Sequence, residues 1–163
     1  MTSLSTANRL VNVYELLPRI GNNLQSLFLL FVRVYWGWQF IQTGWGKLHH
    51  LAKVISFFAS LGIPAPHIIA VFVSVLEFSV GVLLLLGLGS RAISVALMID
   101  MLVAYITADR AALLSFASDP GKFYGADPYT FLFAALLVFL FGPGRFALDT
   151  LLRKIVESTR QPR

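Results

Sequence analysis

From Pro66 to Leu88 the chain reads PHIIAVFVSVLEFSVGVLLLLGL, with Glu77 as its one acidic residue and no lysine or arginine. A helix needs about 20 apolar residues to cross a hydrocarbon core of about 30 Å, and a run of this kind is predicted to be such a helix. Three other segments approach the same pattern: about Leu24 to Gly44, about Arg91 to Thr107, and about Pro128 to Phe141. The last is short for a span, so it would extend into the headgroups or thin the bilayer locally. Asp127 is placed to cap its start with Pro128 at the first helical position, and Gly142-Pro143-Gly144 ends it. The composition agrees: 13% of the residues are charged, about half the share usual in a soluble domain. There is no cysteine, which removes disulfides, CxxC redox chemistry and iron–sulfur ligation by this chain alone. Electron transfer would need a bound organic carrier or a partner protein.

These segments predict an all-α integral membrane protein, a four-helix bundle with an amphipathic interfacial helix between spans 1 and 2. Residues 1–23 form a cytoplasmic or interfacial segment, 24–149 the four-span membrane domain and 150–163 a basic cytoplasmic tail. The N-terminal segment is too polar for the h-region of a signal peptide. Leu10, Val11, Val13, Leu16, Leu17 and Ile20 could give it one apolar face on a membrane surface, and a loose tail is the competing reading. Spans 2 and 3 are joined only by GLGSR, which forces an antiparallel hairpin. Between spans 1 and 2, Leu48, Leu51, Ile55 and Phe58 recur at helical spacing, with Lys47, His50 and Lys53 elsewhere on the wheel. The stretch DRAALLSFASDPGKFYGA, between spans 3 and 4, is expected to form a short surface helix or lid.

Lysine and arginine fall unevenly about these spans. The side that holds both termini and the GLGSR turn carries Arg9, Arg19, Arg91, Arg145, Arg153, Lys154, Arg160 and Arg163; the other carries Lys47, Lys53, Arg110 and Lys122. The positive-inside bias places both termini in the cytoplasm. The net charge of +5 is thereby explained by topology and by a tail suited to anionic lipid, without nucleic acid as a partner.

Arg33, Glu77 and Asp100 lie near the middle of three predicted spans, where each costs about 2.5–3.5 kcal/mol or more. Small residues mark the faces they share: Gly37 and Gly44 with Arg33 and Phe40, Ala70, Ser74 and Gly81 with Glu77, and Ala96 and Ala104 with Asp100. Arg33 is therefore expected to be held by Glu77, Asp100 or both. One cation against two carboxylates leaves a negative charge, which a proton, a ligand or a cation would have to balance. A purely structural ion network is the bland alternative.

Other residues admit two readings each. Tyr35, Trp36, Trp38 and Trp45 could clamp a flat ring or form a core and interfacial belt. Gln39 and Gln42 could hydrogen-bond quinone carbonyls or a neighbouring helix. His49 and His50 are adjacent and point to different faces, so solvation suits them better than a shared metal. No Walker loop, dinucleotide fingerprint or zinc spacing occurs, and no residue is assigned a catalytic role.

The order of these motifs resembles the DoxX family. The resemblance rests on Arg33, Gly37, Phe40, Gly44 and Lys47-Leu48, then FFASLGIPAP, Glu77 and Gly81 running into LLLLGLGSR, then ALMIDMLVAY and the closing FGPGRFALD. It covers about Val32 to Asp149 and implies a small four-helix bacterial inner-membrane protein. Relatives are associated with thiosulfate:quinone oxidoreductase and with membrane complexes for oxidative-stress defence, and wider relatives include assembly chaperones. The family's charged and glycine positions map onto Arg33, Gly37, Gly44, Lys47, Glu77, Gly81 and Arg91. Lys47 thereby joins Tyr35, Trp36, Gln39 and Gln42 as the expected ligand-binding set. The leading expectation is a quinone-linked or redox-complex membrane subunit, with a quinone as its ligand and the bilayer, a redox protein and a second copy of the chain as partners. The alternative is a non-catalytic assembly partner or a carrier of a lipophilic solute.

Overall fold

The computed structural model describes residues 2–160. Among them the regular elements are all helices: α1 (Thr2–His49), α2 (Leu51–Ser60), α3 (Pro66–Leu86), α4 (Ser90–Thr107), α5 (Arg110–Leu114), α6 (Pro120–Tyr124), α7 (Asp127–Phe141) and α8 (Leu148–Arg160). By length and composition, α3 and α4 are the two candidate membrane spans among the described residues, and α2 and α7 are shorter apolar helices.

The N-terminal segment is helical. It runs on into the first apolar segment as one helix, α1, through Pro18. At 1.5 Å per residue α1 is about 70 Å long, more than twice the hydrocarbon core. Proline removes a donor but did not end the helix here. Of the apolar face expected before the first span, Leu16 and Ile20 are exposed; the side chains of Leu10, Val11, Val13 and Leu17 lie outside the described residues.

The longer helices pack as two close pairs. α3 packs along α1 and α4 along α7, with lighter α3–α4 and α1–α7 contacts joining them. The α1–α3 seam is made by glycine. A Cβ at Gly44 would fall 2.4 Å from the Phe78 amide nitrogen, and one at Gly81 would fall 2.8 Å from that of Ile41. Small residues thus allow backbone-to-backbone approach. Val32, Phe40, Val80, Leu84, Leu97, Met101, Ala134, Ala135 and Val138 fill the shared core. On α1 and α3 the expected faces are the buried ones. On α4 the buried face is Ser90, Ser94, Leu97, Met101 and Tyr105, so Ala96, Asp100 and Ala104 stand beside the seam rather than on it.

The ends of the helices follow from local chemistry. α3 ends at Gly87, with φ +71°, and the Leu88 N–H donates to the Leu83 carbonyl, closing a Schellman-type turn. Gly89, also left-handed, starts α4 at once. α7 begins at Asp127, one residue earlier than expected, with Ala126 at the cap position and Pro128 in the first turn. The segment between α4 and α7 folds as α5 and α6, tied down where the Tyr105 hydroxyl donates to the Phe123 carbonyl at 2.7 Å.

The outer surface is strongly apolar. Ile68, Phe72, Ile99, Leu140 and many other large hydrophobic side chains point away from the core. An apolar surface of this extent suits lipid, not water.

Candidate functional site

Glu77 sits at the middle of α3 and is 3% exposed. Its partner is Lys47, in the last turn of α1, whose Nζ donates to Glu77 Oε1 at 2.5 Å. Asp100, on α4, faces the same space and interacts electrostatically with both. Glu77 Oε2 and Asp100 Oδ2 are buried, no donor among the described residues reaches them, and the two carboxyls approach each other. Above these groups lies a cavity of about 400 Å³. Val54, Phe57 and Phe58 of α2 roof it, and Val73 and Met101 form part of its walls. A second cavity, of about 340 Å³, meets the first at Lys47 and Glu77 and extends toward Asp109 and Asp127. Ligand sites commonly have this size and this mixture of apolar walls with a few convergent polar groups.

Arg33 is not part of this cluster, which corrects the expectation that Glu77 or Asp100 holds it. It is 0% exposed and lies at the other end of the α1–α3 seam, against Gly87. Its Nη2 donates to the Phe146 carbonyl at 2.7 Å, and Asp149 supplies the facing charge. The helices run antiparallel with Gly44 beside Phe78 and Gly37 beside Leu85. That register carries Arg33 toward Gly87 and Lys47 toward Glu77. Arg33 and Lys47 are separated by about 21 Å along α1.

Around Arg33 the two turn motifs interlock. Asp149 accepts from the Gly89 N–H through Oδ1 at 2.8 Å and from the Ser90 N–H through Oδ2 at 2.9 Å. Its own N–H donates to the Gly87 carbonyl at 3.0 Å. Burial acts to raise the Asp149 pKa, but the Ser90 and Gly89 donors and the Arg33 guanidinium outweigh it and hold the carboxyl below its usual range. The first residues of α8 thus cap the start of α4. Sequence reasoning missed this role of Asp149, because a cap supplied from 60 residues away leaves no local pattern.

The expected ligand set is only partly brought together. Lys47 lines the cavity. Tyr35 is exposed, Gln42 is exposed, and Trp36 and Gln39 are half-buried, none of them on its lining. Trp36 packs edge-to-face with Tyr35 and against the core. The ring nitrogens of His49 and His50 lie at 2.9 and 3.0 Å from the carbonyls of Trp45 and Gly46 on their own helix.

Outward-facing apolar helices, glycine seams and a buried ion pair under an apolar cavity together define a helical membrane protein. The chain belongs to the DoxX family: the family model, DoxX, matches residues 28–110, just over half of the chain. It is also similar to an uncharacterized membrane protein of Mycobacterium tuberculosis (strain ATCC 25618 / H37Rv), Rv3486, at 33% identity over 108 residues. That match takes in 60% of this chain and 63% of the relative's length. No solved structure matches the chain.

Proposed function

We propose that α1, α3, α4 and α7 span the bacterial inner membrane as a four-helix bundle, that α2 lies at the interface, and that both termini are cytoplasmic. The Lys47–Glu77–Asp100 cavity then lies toward the outer face. Within it the protein binds a small lipophilic molecule with a hydrogen-bonding head, and a quinone or its quinol is the candidate, delivered to a redox partner. The observation that carries this reading is the approach of two buried carboxyls, Glu77 and Asp100, under an apolar roof with Lys47 as the one cation paired with them among the described residues. One cation and two carboxylates leave room for a proton or a donor, and a quinol hydroxyl supplies one. Lys47 orders the floor by holding Glu77. The chain's own residues offer binding and proton exchange; electrons would pass to and from the carrier.

The test is calorimetric titration of the full chain in detergent with a short-chain quinol, together with mass spectrometry of the small molecules retained on purification. Saturable binding is expected, weakened about tenfold or more in Glu77→Gln and in Asp100→Asn, in line with the loss of a charge-assisted hydrogen bond. No binding and no retained molecule would remove the redox-pocket reading and leave a non-catalytic assembly partner in its place. The orientation is checked separately. Reporter fusions after Arg163 and near His50 are expected to report cytoplasmic and periplasmic locations, following the lysine and arginine distribution; periplasmic activity at Arg163 would reverse the topology.

A further inference from the structure

A different cavity, at the end of the bundle away from Lys47, has the opposite electrostatic character. It encloses about 470 Å³ between the start of α4 and the start of α8. Arg91, in the first turn of α4, and Arg153, in the second turn of α8, both line it. The Arg91 guanidinium lies across Gly142, where a Cβ would fall 3.6 Å from its Nη2. Neither arginine forms an ion pair among the described residues. Asp149 also lines the cavity, but both of its oxygens are taken by the Gly89 and Ser90 amides and it faces Arg33. Two guanidinium groups with no ion-pair partner among the described residues therefore set the sign of the cavity.

The helix that carries Arg153 shows where this cavity sits. Leu148, Leu151, Leu152, Ile155 and Val156 recur at helical spacing on α8, and all are exposed. Arg153, Lys154 and Glu157 occupy the rest of the wheel. An apolar stripe flanked by basic side chains is the form of a helix lying in a membrane interface. α8 begins shortly after Gly142-Pro143-Gly144 ends α7, so in the proposed bundle it starts at the level of the headgroups.

We propose that the Arg91–Arg153 cavity holds the phosphate of an anionic phospholipid, with α8 lying on the same leaflet and its apolar stripe among the acyl chains. Two guanidinium forks can grip the non-bridging phosphate oxygens. Basic groups at such a surface each favour anionic lipid several-fold. The inference is independent of what occupies the Lys47–Glu77 cavity and of which leaflet faces the cytoplasm.

Native mass spectrometry of the full chain in detergent tests it, with phosphatidylglycerol and phosphatidylcholine added at equal concentration. Wild type is expected to retain one phosphatidylglycerol with a preference of about tenfold or more, unaffected by millimolar inorganic phosphate. Arg91→Gln with Arg153→Gln should abolish the preference. Arg145→Gln with Lys154→Gln removes the same charge outside the cavity and should preserve it. Equal retention of both lipids by wild type would overturn the proposal. So would equal losses in the two double variants, which would mean diffuse surface charge. Displacement by inorganic phosphate would assign the cavity to a free anion and overturn the lipid site.

Discussion

Gly44→Ala is expected to lower the melting temperature of the detergent-solubilised protein on the order of 10 °C. The added methyl would stand 2.4 Å from a backbone nitrogen and 2.8 Å from a backbone Cα, both of Phe78. Neither atom can rotate away, so α1 and α3 must separate. Overpacking of this kind costs about 3 kcal/mol, and each kcal/mol shifts the midpoint by roughly 2–4 °C in a chain of this size. Gly46→Ala is the control. It lies on the same helix with nothing within 4 Å of the new Cβ, and alanine favours the helix over glycine by about 1 kcal/mol. Gly46→Ala should melt at or above the wild-type temperature. If the two variants melt alike, the α1–α3 register is wrong, and the pairing of Lys47 with Glu77 goes with it.

That register is the step at which sequence reading and structure part. Apolar runs and punctuation by Gly and Pro placed α3, α4 and α7 within a few residues, because each run is long and each end is marked by residues that stop a helix. The small-residue faces of α1 and α3 were legible for the same reason. In the sequence, the only measure of a charge's depth is its distance to the ends of its own apolar run. For α1 that measure misleads, since the helix continues far beyond the apolar stretch in one direction and ends at His49 in the other. Gly37, Gly44 and Gly81 held the missing information: antiparallel helices that meet at these glycines must bring position 47 opposite Glu77 and position 33 opposite Gly87. That Tyr35 and Gln42 face outward, and that Trp36 and Gln39 lie off the cavity, was not legible, because these residues occupy a stretch in which every face contains a large or polar residue. The roles of Asp149 and the Phe146 carbonyl depend on a tertiary contact with the GLGSR turn and have no local signature.

Lys47→Met is expected to destabilise the protein by about 3–5 kcal/mol, the usual consequence of stranding one member of a buried ion pair. The Lys47 side chain retains 32% of its exposure, against 4% for Glu77, so water can reach part of the site and the lower end of that range is the better expectation. The loss arises from Glu77, which would keep a buried charge with no cation beside it and the Asp100 carboxyl next to it. Glu77→Gln removes that charge, so Lys47→Met with Glu77→Gln should recover at least half of the loss. Unfolding of the two single variants and the double variant in detergent gives the coupling energy directly. Arg33→Met supplies the contrast. It takes away the hydrogen bond to the Phe146 carbonyl and the charge facing Asp149, and it should be destabilising in its own right. Combined with Glu77→Gln, however, its effect should simply add, because the two side chains share no partner and lie near opposite ends of the seam. Additivity of Lys47→Met and Glu77→Gln would show that the ion pair contributes nothing, and the cavity would lose its ordered floor. Coupling between Arg33 and Glu77 would restore a single network of all the buried charges, which the antiparallel register of α1 and α3 forbids.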